Sequence, residues 1–584
     1  MRSGSNATLL SMSQENVLPG SELARLVTRR ARECGGRPFL EDIHGGRALT
    51  YARLADLVRQ RRTTLDAAAI PPSARVLIDV ADPIEFSAAY LGVIAAGRCA
   101  VPVNPQAPVA ELERTATAVR PAAIIGDWAD RARCLGLPVL HAVPPSHAFP
   151  SSHRVPPSHS TPAGHGRDAD ARREPSPGSV LLLTSGSTGA PKTVELTEDR
   201  LLHVARAVAR HNRLTPDDRG FSPLPLFHIN AEVVALLATL TAGAVLLLDC
   251  RFHRQWFWEA LAERDVTWIN LVPAILTILA GYPVPVRPPR LRFVRSASAP
   301  LPVAVRHRIE ALTGAPVVES YGMTEAASQI TATPLDGSAP AGSCGRPVGA
   351  EVQVRDSDGR PVPPGTTGQI WIRGAGVIDA YAGGRGAGRF DAGGWLDTRD
   401  LGYLDEDGFL FLAGRSDDVI NRGGEMMYPR EIEEVLIADP AVRDAVVVGR
   451  PDPVLGQVPV AYVIPARDPA TANSLQELLD LLSARCSAQL SRYKLPEAIY
   501  VVEDLPRAVT GKIQQRVLAR EAVLARGGDP PEPPVSLLRC CPIHRPLAGP
   551  EARTRWAGND RLSVACAGTG RYTGRSPGME ARTR

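Results

Sequence analysis

The chain has 584 residues, more than one hydrophobic core usually serves, so it is expected to fold as two or more domains. Its formal net charge of +4 is small for this length and argues against a nucleic-acid partner, which needs a concentrated basic face. The nine cysteines include no CxxC pair, and no apolar run reaches the ~20 residues of a membrane span. We therefore expect a cytoplasmic protein with reduced thiols and no membrane span.

Residues 21–140 alternate between helical and extended patterns, which predicts an α/β fold with a largely parallel, covered sheet. The predicted helices are 21–33, 50–68 with Thr50 as N-cap, and 84–96, and the predicted strands are 38–43, 75–80 and 122–126. Further along, the apolar run Val233–Leu248 predicts a buried helix that turns at Gly243 into a buried strand.

Between residues 141 and 178 the sequence becomes a Pro/Ser-rich repeat with a histidine at every sixth position, from His141 to His165. Such a composition cannot bury a core, so we predict a disordered surface loop, with weak metal binding by the histidines as a less favoured alternative. Residues 1–20 and the Pro-, Gly- and Arg-rich residues 526–584 are also predicted to be disordered, and Met12 is a second candidate start site.

The C-terminal half contains two further patterns. Strands with turn signals between residues 350 and 412 predict an antiparallel unit. Residues 418–525 predict a smaller α/β unit, with strands at 443–449, 458–464 and 498–502, a helix at 475–489 and a final helix after Gly511.

The segment Val180–Lys192, VLLLTSGSTGAPK, is the strongest candidate for chemistry. An apolar strand leads into a run of hydroxyl residues and glycines whose backbone N–H groups can converge on phosphate oxygens. Lys192 adds a point charge, and it is one of only three lysines among 66 basic residues, with Lys494 and Lys512. The glycine spacing differs from GxxxxGK[ST], so this is not a P-loop, and a plain surface turn is the competing interpretation.

TSGSTGAPK resembles the phosphate loop of the adenylate-forming (AMP-binding) superfamily, which includes acyl-CoA and aryl-CoA synthetases, luciferases and peptide-synthetase adenylation domains. Other motifs of that family follow in order between residues 20 and 525. They are LTYARLADL (49–57), AAYLGVIAAGRCAVPVNP (88–105), PLFHINAE (225–232), ESYGMTEA (319–326), GQIWIRG (368–374), WLDTRDLGYLDEDG (395–408), GRSDDVINRGGEMMYPREIE (414–433) and LPRAVTGKI (505–513).

The resemblance implies a fold of layered α/β sheets with an antiparallel β-barrel and a small mobile α+β C-terminal domain. The implied divisions are a large domain at 21–413, a hinge at 414–417 that includes Asp417, and a small domain at 418–525. It also implies an ATP-dependent ligase that uses Mg2+ and makes an acyl-adenylate, then an acyl-CoA. The implied nucleotide-binding residues are Thr184, Ser185, Gly186, Ser187, Thr188, Gly189, Lys192, Ser298, Ala299, Pro300, Ser320, Tyr321, Gly322, Met323, Asp400 and Arg415.

The resemblance also assigns catalytic roles. Thr324 would donate its hydroxyl to the α-phosphate, and Glu325 would supply the hard oxygen ligand that Mg2+ prefers. Lys512 would bridge the α-phosphate and the substrate carboxylate, two anions that repel each other without a cation between them. His228 would line the acid pocket. Amino-acid-activating relatives carry an aspartate there, so His228 disfavours a substrate with a free amine.

Gly423 and Gly424 would line the channel for CoA after the small domain rotates. Four positions depart from the family pattern without removing a catalytic group: Thr193, Arg399, Asn421 and Met426. Arg399 replaces the glycine beside the ribose-binding Asp400, which leaves the nucleotide geometry most in question. The segment INRGGE resembles that of several CoA ligases, which favours CoA as the acceptor of the acyl group.

The sequence leaves several alternatives open. A carrier-protein phosphopantetheine arm could replace CoA, and a non-catalytic nucleotide-binding relative is a less favoured reading. The acid could be fatty, short-chain dicarboxylic or aryl.

Overall fold

The computed structural model describes residues 21–126, 131, 135–142, 178–184, 192–384, 386–423, 425–467, 472–507, 513–524 and 537–542. The predicted N-terminal segment 1–20 and most of the histidine repeat lie outside these ranges. In chain order the helices are α1 (Glu22–Cys34), α2 (Tyr51–Ala67), α3 (Pro83–Ala95), α4 (Val109–Val119), α5 (Glu198–His211), α6 (Ala238–Ala242), α7 (Phe257–Glu263), α8 (Pro273–Ala280), α9 (Val303–Thr313), α10 (Pro429–Ile437), α11 (Ala472–Gln489) and α12 (Gln515–Leu524).

The strands in the first part of the chain are β1 (Pro38–Asp42), β2 (Ala48–Thr50), β3 (Arg75–Asp79), β4 (Cys99–Pro102), β5 (Ala123–Gly126), β6 (Val139–Leu140), β7 (Ser179–Thr184), β8 (Lys192–Thr197), β9 (Arg219–Ser222), β10 (Val245–Leu248), β11 (Trp268–Leu271), β12 (Phe293–Ser296), β13 (Val317–Met323), β14 (Ser328–Ala332) and β15 (Arg346–Pro347). The remaining strands are β16 (Glu351–Arg355), β17 (Gly368–Arg373), β18 (Leu396–Leu404), β19 (Leu410–Arg415), β20 (Ile420–Arg422), β21 (Glu425–Met427), β22 (Val442–Asp452), β23 (Gly456–Pro465), β24 (Ala498–Val502) and β25 (Leu537–Pro542).

Two large sheets form the first part of the molecule. One has nine strands in the order β15-β14-β13-β12-β11-β9-β10-β1-β2, and the other has six in the order β6-β5-β3-β4-β7-β8. Neighbours from β13 through β1 pair in parallel, so their carboxyl ends meet at one edge. The apolar helix α3 is buried along its length, which explains its nearly continuous hydrophobic sequence. The predicted α/β architecture with layered sheets is confirmed.

Local sequence signals set most helix ends. The Ser21 hydroxyl accepts from the Ala24 amide at 3.1 Å, and Thr50 accepts from the Arg53 amide at 3.2 Å, which confirms the predicted cap at Thr50. The run beginning at Val233 also folds as predicted, because Gly243 adopts φ +75° between helix α6 and strand β10. Its first part differs from a regular α-helix, since Asn230–Leu237 forms a fully buried π-helix.

The antiparallel unit predicted as a barrel is a sheet of four strands in the order β16-β17-β18-β19. Its first and last strands do not pair with each other within the described residues, so the sheet stays open. The C-terminal strands form a separate mixed sheet, β21-β20-β23-β24-β25, with β22 on β23. Helices α10, α11 and α12 accompany that sheet, and the strands and helices predicted for 418–525 are all present.

The prediction that residues 526–584 are disordered is wrong for one segment. Leu537–Pro542 forms β25 and pairs antiparallel with β24. The edge of β24 offers unpaired backbone N–H and C=O groups, and a short apolar segment can satisfy them. The rest of 526–584 lies outside the described residues. In the part of the chain that the structure describes, no helix has the length and apolar character needed to cross a membrane.

Candidate active site

The predicted phosphate loop connects β7 and β8. These two strands pair antiparallel, and Thr184 lies opposite Lys192. The fold therefore brings the two ends of the loop together. The predicted loop residues between them, Ser185, Gly186, Ser187, Thr188 and Gly189, lie outside the described residues. The nearby departure from the family pattern, Thr193, donates its hydroxyl to the Ala382 carbonyl at 3.1 Å.

Two other predicted nucleotide segments follow neighbouring parallel strands. Ser298, Ala299 and Pro300 are exposed after β12, and Ser320–Met323 end β13, so both segments reach the same sheet edge. At Gly322 a Cβ atom would lie 1.6 Å from the Ser328 carbonyl oxygen, which leaves room only for glycine. Ser298 adopts φ +77°, an uncommon conformation for a residue with a side chain.

Tyr321, Asp400 and Arg415 form one polar group. The Tyr321 hydroxyl donates to Asp400 Oδ2 at 2.6 Å, and Arg415 Nε lies 3.6 Å from Asp400 Oδ1. Asp400 and Arg415 are register partners on β18 and β19. Burial, followed by the neighbouring Asp400 charge, raises the pKa of Tyr321 well above its usual range, so this hydroxyl keeps its proton. The fold thus unites three predicted nucleotide residues that are distant in sequence.

Arg399 stands where the family has glycine, and the backbone conformation at this position explains that preference for glycine. Its φ is +65°, in the left-handed region that glycine occupies without strain. The arginine side chain points outward, is 47% exposed and pairs with Asp397 at 3.1 Å. The arginine therefore adds backbone strain at position 399 itself, directly before Asp400.

Glu325, the predicted Mg2+ ligand, is buried in a network that sequence reasoning missed. Its Oε1 accepts from the Tyr381 hydroxyl at 2.7 Å, and Arg389 Nη1 lies 3.7 Å away while donating to the same hydroxyl at 2.6 Å. Its second oxygen, Oε2, accepts no hydrogen bond from the described residues. A fixed carboxylate with one oxygen available fits a hard cation such as Mg2+. Thr324, the predicted α-phosphate donor, begins the short 3-10 turn Thr324–Ala326 that carries Glu325.

His228 precedes the π-helix and is largely buried. Burial lowers its pKa to about 4, so the imidazole is neutral near pH 7, and its Nε2 has no hydrogen-bond partner among the described residues. Close by, Asn230 donates to the Ser298 hydroxyl at 3.4 Å and accepts from Asn270 at 2.8 Å. Asn270 is fully buried. Asn230 lies within the motif PLFHINAE but was assigned no role from the sequence, and Asn270 was missed because only the fold brings β11 to Asn230.

Two buried ionisable side chains lie in the interior beside this region. Glu232, on the π-helix, accepts from the Tyr90 hydroxyl at 3.0 Å, and burial raises the pKa of Glu232 to about 8. Arg295 on β12 is fully buried and donates to Ser320 at 2.9 Å and to Gln329 at 2.7 Å. Ser320, predicted as a nucleotide contact, is thus also held in place from the interior.

The segment between the predicted domains is a short turn. Ser416–Asp418, including the predicted hinge residue Asp417, connects β19 to β20, and the Ser416 amide donates to the Arg399 carbonyl at 2.9 Å. Gly423 has φ +63° in the β20–β21 turn. The departures Asn421 and Met426 face each other across this hairpin. Gly424 and Lys512 lie outside the described residues, so their predicted roles stay predictions.

Comparisons with known proteins agree with one another. Residues 27–382 match the family described as AMP-binding enzyme, and residues 431–512 match the AMP-binding enzyme C-terminal domain. Sulfoacetate–CoA ligase of Cupriavidus necator is 35% identical over 86% of this chain and 98% of its own. Oxalate–CoA ligase of Arabidopsis thaliana is 32% identical over 81% of this chain and 93% of its own.

Solved structures give the same result. ATP-bound MatB from Rhodopseudomonas palustris superposes with a TM-score of 0.72 at 27% identity, covering 85% of this chain and 98% of that one. The o-succinylbenzoate coenzyme A synthetase of Bacillus subtilis, in complex with ATP and a magnesium ion, superposes with a TM-score of 0.70 at 26% identity, covering 84% and 98%.

Proposed function

Because the chain belongs to the family of AMP-binding enzymes, in its branch of ATP-dependent acid–CoA ligases, we propose that it activates a small polar carboxylic acid. The carrying observation is His228 Nε2, a buried ring nitrogen that has no hydrogen-bond partner among the described residues. By family resemblance His228 lines the acid pocket. With its proton on Nε2, neutral His228 can donate to an oxygen of a polar acid, whereas a fatty chain leaves that buried donor unpaired.

The energetic preference follows from the cost of an unpaired buried group. One such group costs about 1–3 kcal/mol, which corresponds to roughly 5- to 150-fold in kcat/KM. The names of the relatives agree with this preference, since sulfoacetate, oxalate and 2-succinylbenzoate each carry a second acidic group. The neutral His228 offers a hydrogen bond rather than a full charge to such a substrate.

The reaction has two steps in this proposal. The acid carboxylate attacks the α-phosphate of ATP and pyrophosphate leaves; the CoA thiol then attacks the acyl carbon and AMP leaves. Asp400 and Arg415 hold the ribose, with Tyr321 fixing the carboxylate of Asp400. Glu325 binds Mg2+, which when present neutralises charge on the phosphates. Lys192 and Lys512 supply the cations that bring two anions together.

The test is pyrophosphate release with a panel of oxalate, malonate, sulfoacetate, benzoate and octanoate, in the presence of CoA. We expect at least one of the small polar acids to exceed octanoate in kcat/KM by tenfold or more. His228→Phe, which keeps a planar ring and removes the buried nitrogen donor, should narrow the ratio of kcat/KM between polar acids and octanoate. A wild-type preference for octanoate would overturn the proposed substrate class.

A second assay separates the acceptor thiols. The acyl-AMP is offered CoA or a phosphopantetheinylated carrier protein, and thioester products are measured directly. We expect the acyl-CoA to form faster. Transfer to the carrier alone would establish the carrier-loading alternative, and absence of pyrophosphate exchange with every acid would establish a non-catalytic relative.

A further inference from the structure

Two imidazoles and one carboxylate converge at the carboxyl ends of β1 and β10. These strands pair in parallel with Asp42 opposite Leu248, so His44, two residues after β1, and Asp249, directly after β10, emerge at the same edge. His253 follows four residues later, before α7. Strand β10 is separated from β13, which carries Tyr321, by three intervening strands, or about 19 Å across the sheet. The cluster is therefore distinct from the nucleotide site.

The ligand atoms have separations that suit one metal ion. His253 Nδ1 lies 3.1 Å and His44 Nε2 lies 3.5 Å from the same oxygen, Asp249 Oδ2. All three ligand atoms lie within 4.8 Å of one another. Zinc bonds to nitrogen or oxygen of about 2.1 Å place neighbouring tetrahedral ligands roughly 3.4 Å apart. Two of the three separations between ligand atoms match this value. A small rotation of His44 would bring its Nε2 to the same distance from His253 Nδ1.

The surroundings hold the ligands in place. The Asp249 side chain is only 2% exposed, whereas His44 is 47% exposed and leaves an open path for an ion. The Trp256 ring centroid lies 4.5 Å from that of His44 and 5.0 Å from that of His253, so one aromatic side chain supports both imidazoles. An ion here would join the β1–β2 turn to the loop before α7.

We propose that His44, Asp249 and His253 form a binding site for a divalent transition-metal ion of the Zn2+ type. Two imidazole nitrogens with one carboxylate oxygen favour Zn2+, Ni2+ or Cu2+, whereas Mg2+ and Ca2+ prefer ligand sets made of oxygen. The site therefore does not compete with Glu325 for Mg2+. Solvent fills the remaining coordination positions beside the exposed His44.

Arg251 opposes metal binding in this arrangement. Its Nε donates to His253 Nε2 at 2.8 Å, which leaves the ring proton on Nδ1, facing Asp249. A metal at Nδ1 requires that proton to move to Nε2, where it displaces the arginine contact. Arg251 is exposed and can turn into solvent. Its replacement should therefore strengthen metal binding, an effect opposite in sign to loss of a ligand.

The experiment titrates ZnCl2 into the full-length, metal-free chain by calorimetry. The repeat histidines are first changed to glutamine in every protein so that they cannot contribute; they are His141, His147, His153, His159 and His165. We expect one Zn2+ per chain, binding at least tenfold weaker in His44→Gln and Asp249→Asn, and tighter in Arg251→Gln. The exposed His307→Gln serves as the matched control and should bind as the parent does.

A second readout separates ligation from misfolding. Zn2+ should raise the thermal midpoint of the parent, while His44→Gln, altered at a half-exposed position, should keep the metal-free midpoint and lose the increase. Activity with Mg2+ should be unchanged in both. Zn2+ binding equal in the parent and His44→Gln, or no binding in the parent, would show that the three side chains form only an imidazole–carboxylate ion pair.

Discussion

The Tyr381 hydroxyl is the contact whose removal tests the assignment of Glu325 most directly. It donates to Glu325 Oε1 at 2.7 Å and accepts from Arg389 at 2.6 Å, so it separates a carboxylate from a guanidinium. Tyr381→Phe removes both hydrogen bonds and leaves the ring in place. With the hydroxyl gone, Glu325 is expected to turn toward Arg389, from which it is now 3.7 Å away.

The size of the effect can be worked from these contacts. A hydrogen bond to a charged group contributes about 1.5–3 kcal/mol, and direct pairing of Glu325 with Arg389 would recover part of the loss. We therefore expect the free energy of unfolding to fall by about 1–3 kcal/mol. Loss of a side chain that orients a metal ligand weakens metal binding by about 10- to 100-fold.

The assay is the initial rate of pyrophosphate release as a function of Mg2+ concentration at fixed ATP. Tyr381→Phe should raise the half-saturating Mg2+ concentration about tenfold or more, while high Mg2+ restores much of the rate. Tyr282→Phe, at an exposed position, is the matched control. An unchanged Mg2+ dependence in a destabilised Tyr381→Phe protein would refute the assignment, because the hydroxyl would then only support the fold.

Four further predictions concern the nucleotide site, the backbone, pH and the histidine repeat. Asp400→Ala should raise the KM for ATP by about tenfold to a hundredfold through loss of a charged hydrogen bond, and an unchanged KM would mean that the ribose binds elsewhere. Arg399→Gly should change unfolding free energy by less than about 1 kcal/mol, since relief of positive φ offsets a lost exposed ion pair, whereas thermal melts should show Arg399→Val to be clearly destabilised. Burial raises the pKa of Glu232 from 4.5 to about 8, so between these pH values the folded chain keeps the proton and the unfolded chain loses it. The free energy of unfolding therefore falls as pH rises from 4.5 to about 8. Glu232→Gln should remove about 1.4 kcal/mol of that decline per pH unit in denaturant titrations, and Glu113→Gln, at an exposed position, should not. Deletion of residues 144–176 should leave adenylation nearly unchanged, because the chain just before the deletion is anchored by a hydrogen bond of 2.7 Å from Arg61 to the His141 carbonyl. A deletion variant that folds but has no ATP turnover would contradict this.

Local signals predicted much of the fold, because helix caps and apolar periodicity act over a few residues. Thr50 caps the start of α2 with its hydroxyl, and Gly243 ends α6 because it adopts a positive φ. Strand Leu537–Pro542 was missed because composition alone does not show that an edge of β24 is available to it.

The site was predictable only in part. Asp400, Glu325 and Tyr321 were found by resemblance to a family. The hydrogen bond from Tyr321 to Asp400 and the role of Tyr381 beside Glu325 were not, because long-range packing brings these side chains together. The same holds for His44 and Asp249, which meet only because β1 and β10 are neighbours in the sheet. The positive φ of Arg399 also has no sequence signal beyond the glycine expected there.

The π-helix at Asn230–Leu237 has a consequence for how this protein can change over time. It takes more residues per turn than an α-helix, so loss of a single residue would let the segment rewind as an ordinary helix. The extra residue is accommodated within the segment, so its removal would leave the flanking turns in place and change which side chains the segment itself presents. Glu232, inside the segment, would then lose its position beside the Tyr90 hydroxyl. The length of this segment is therefore inherited along with its side chains, and a one-residue gap in a descendant would mark the loss of the contact between Glu232 and Tyr90.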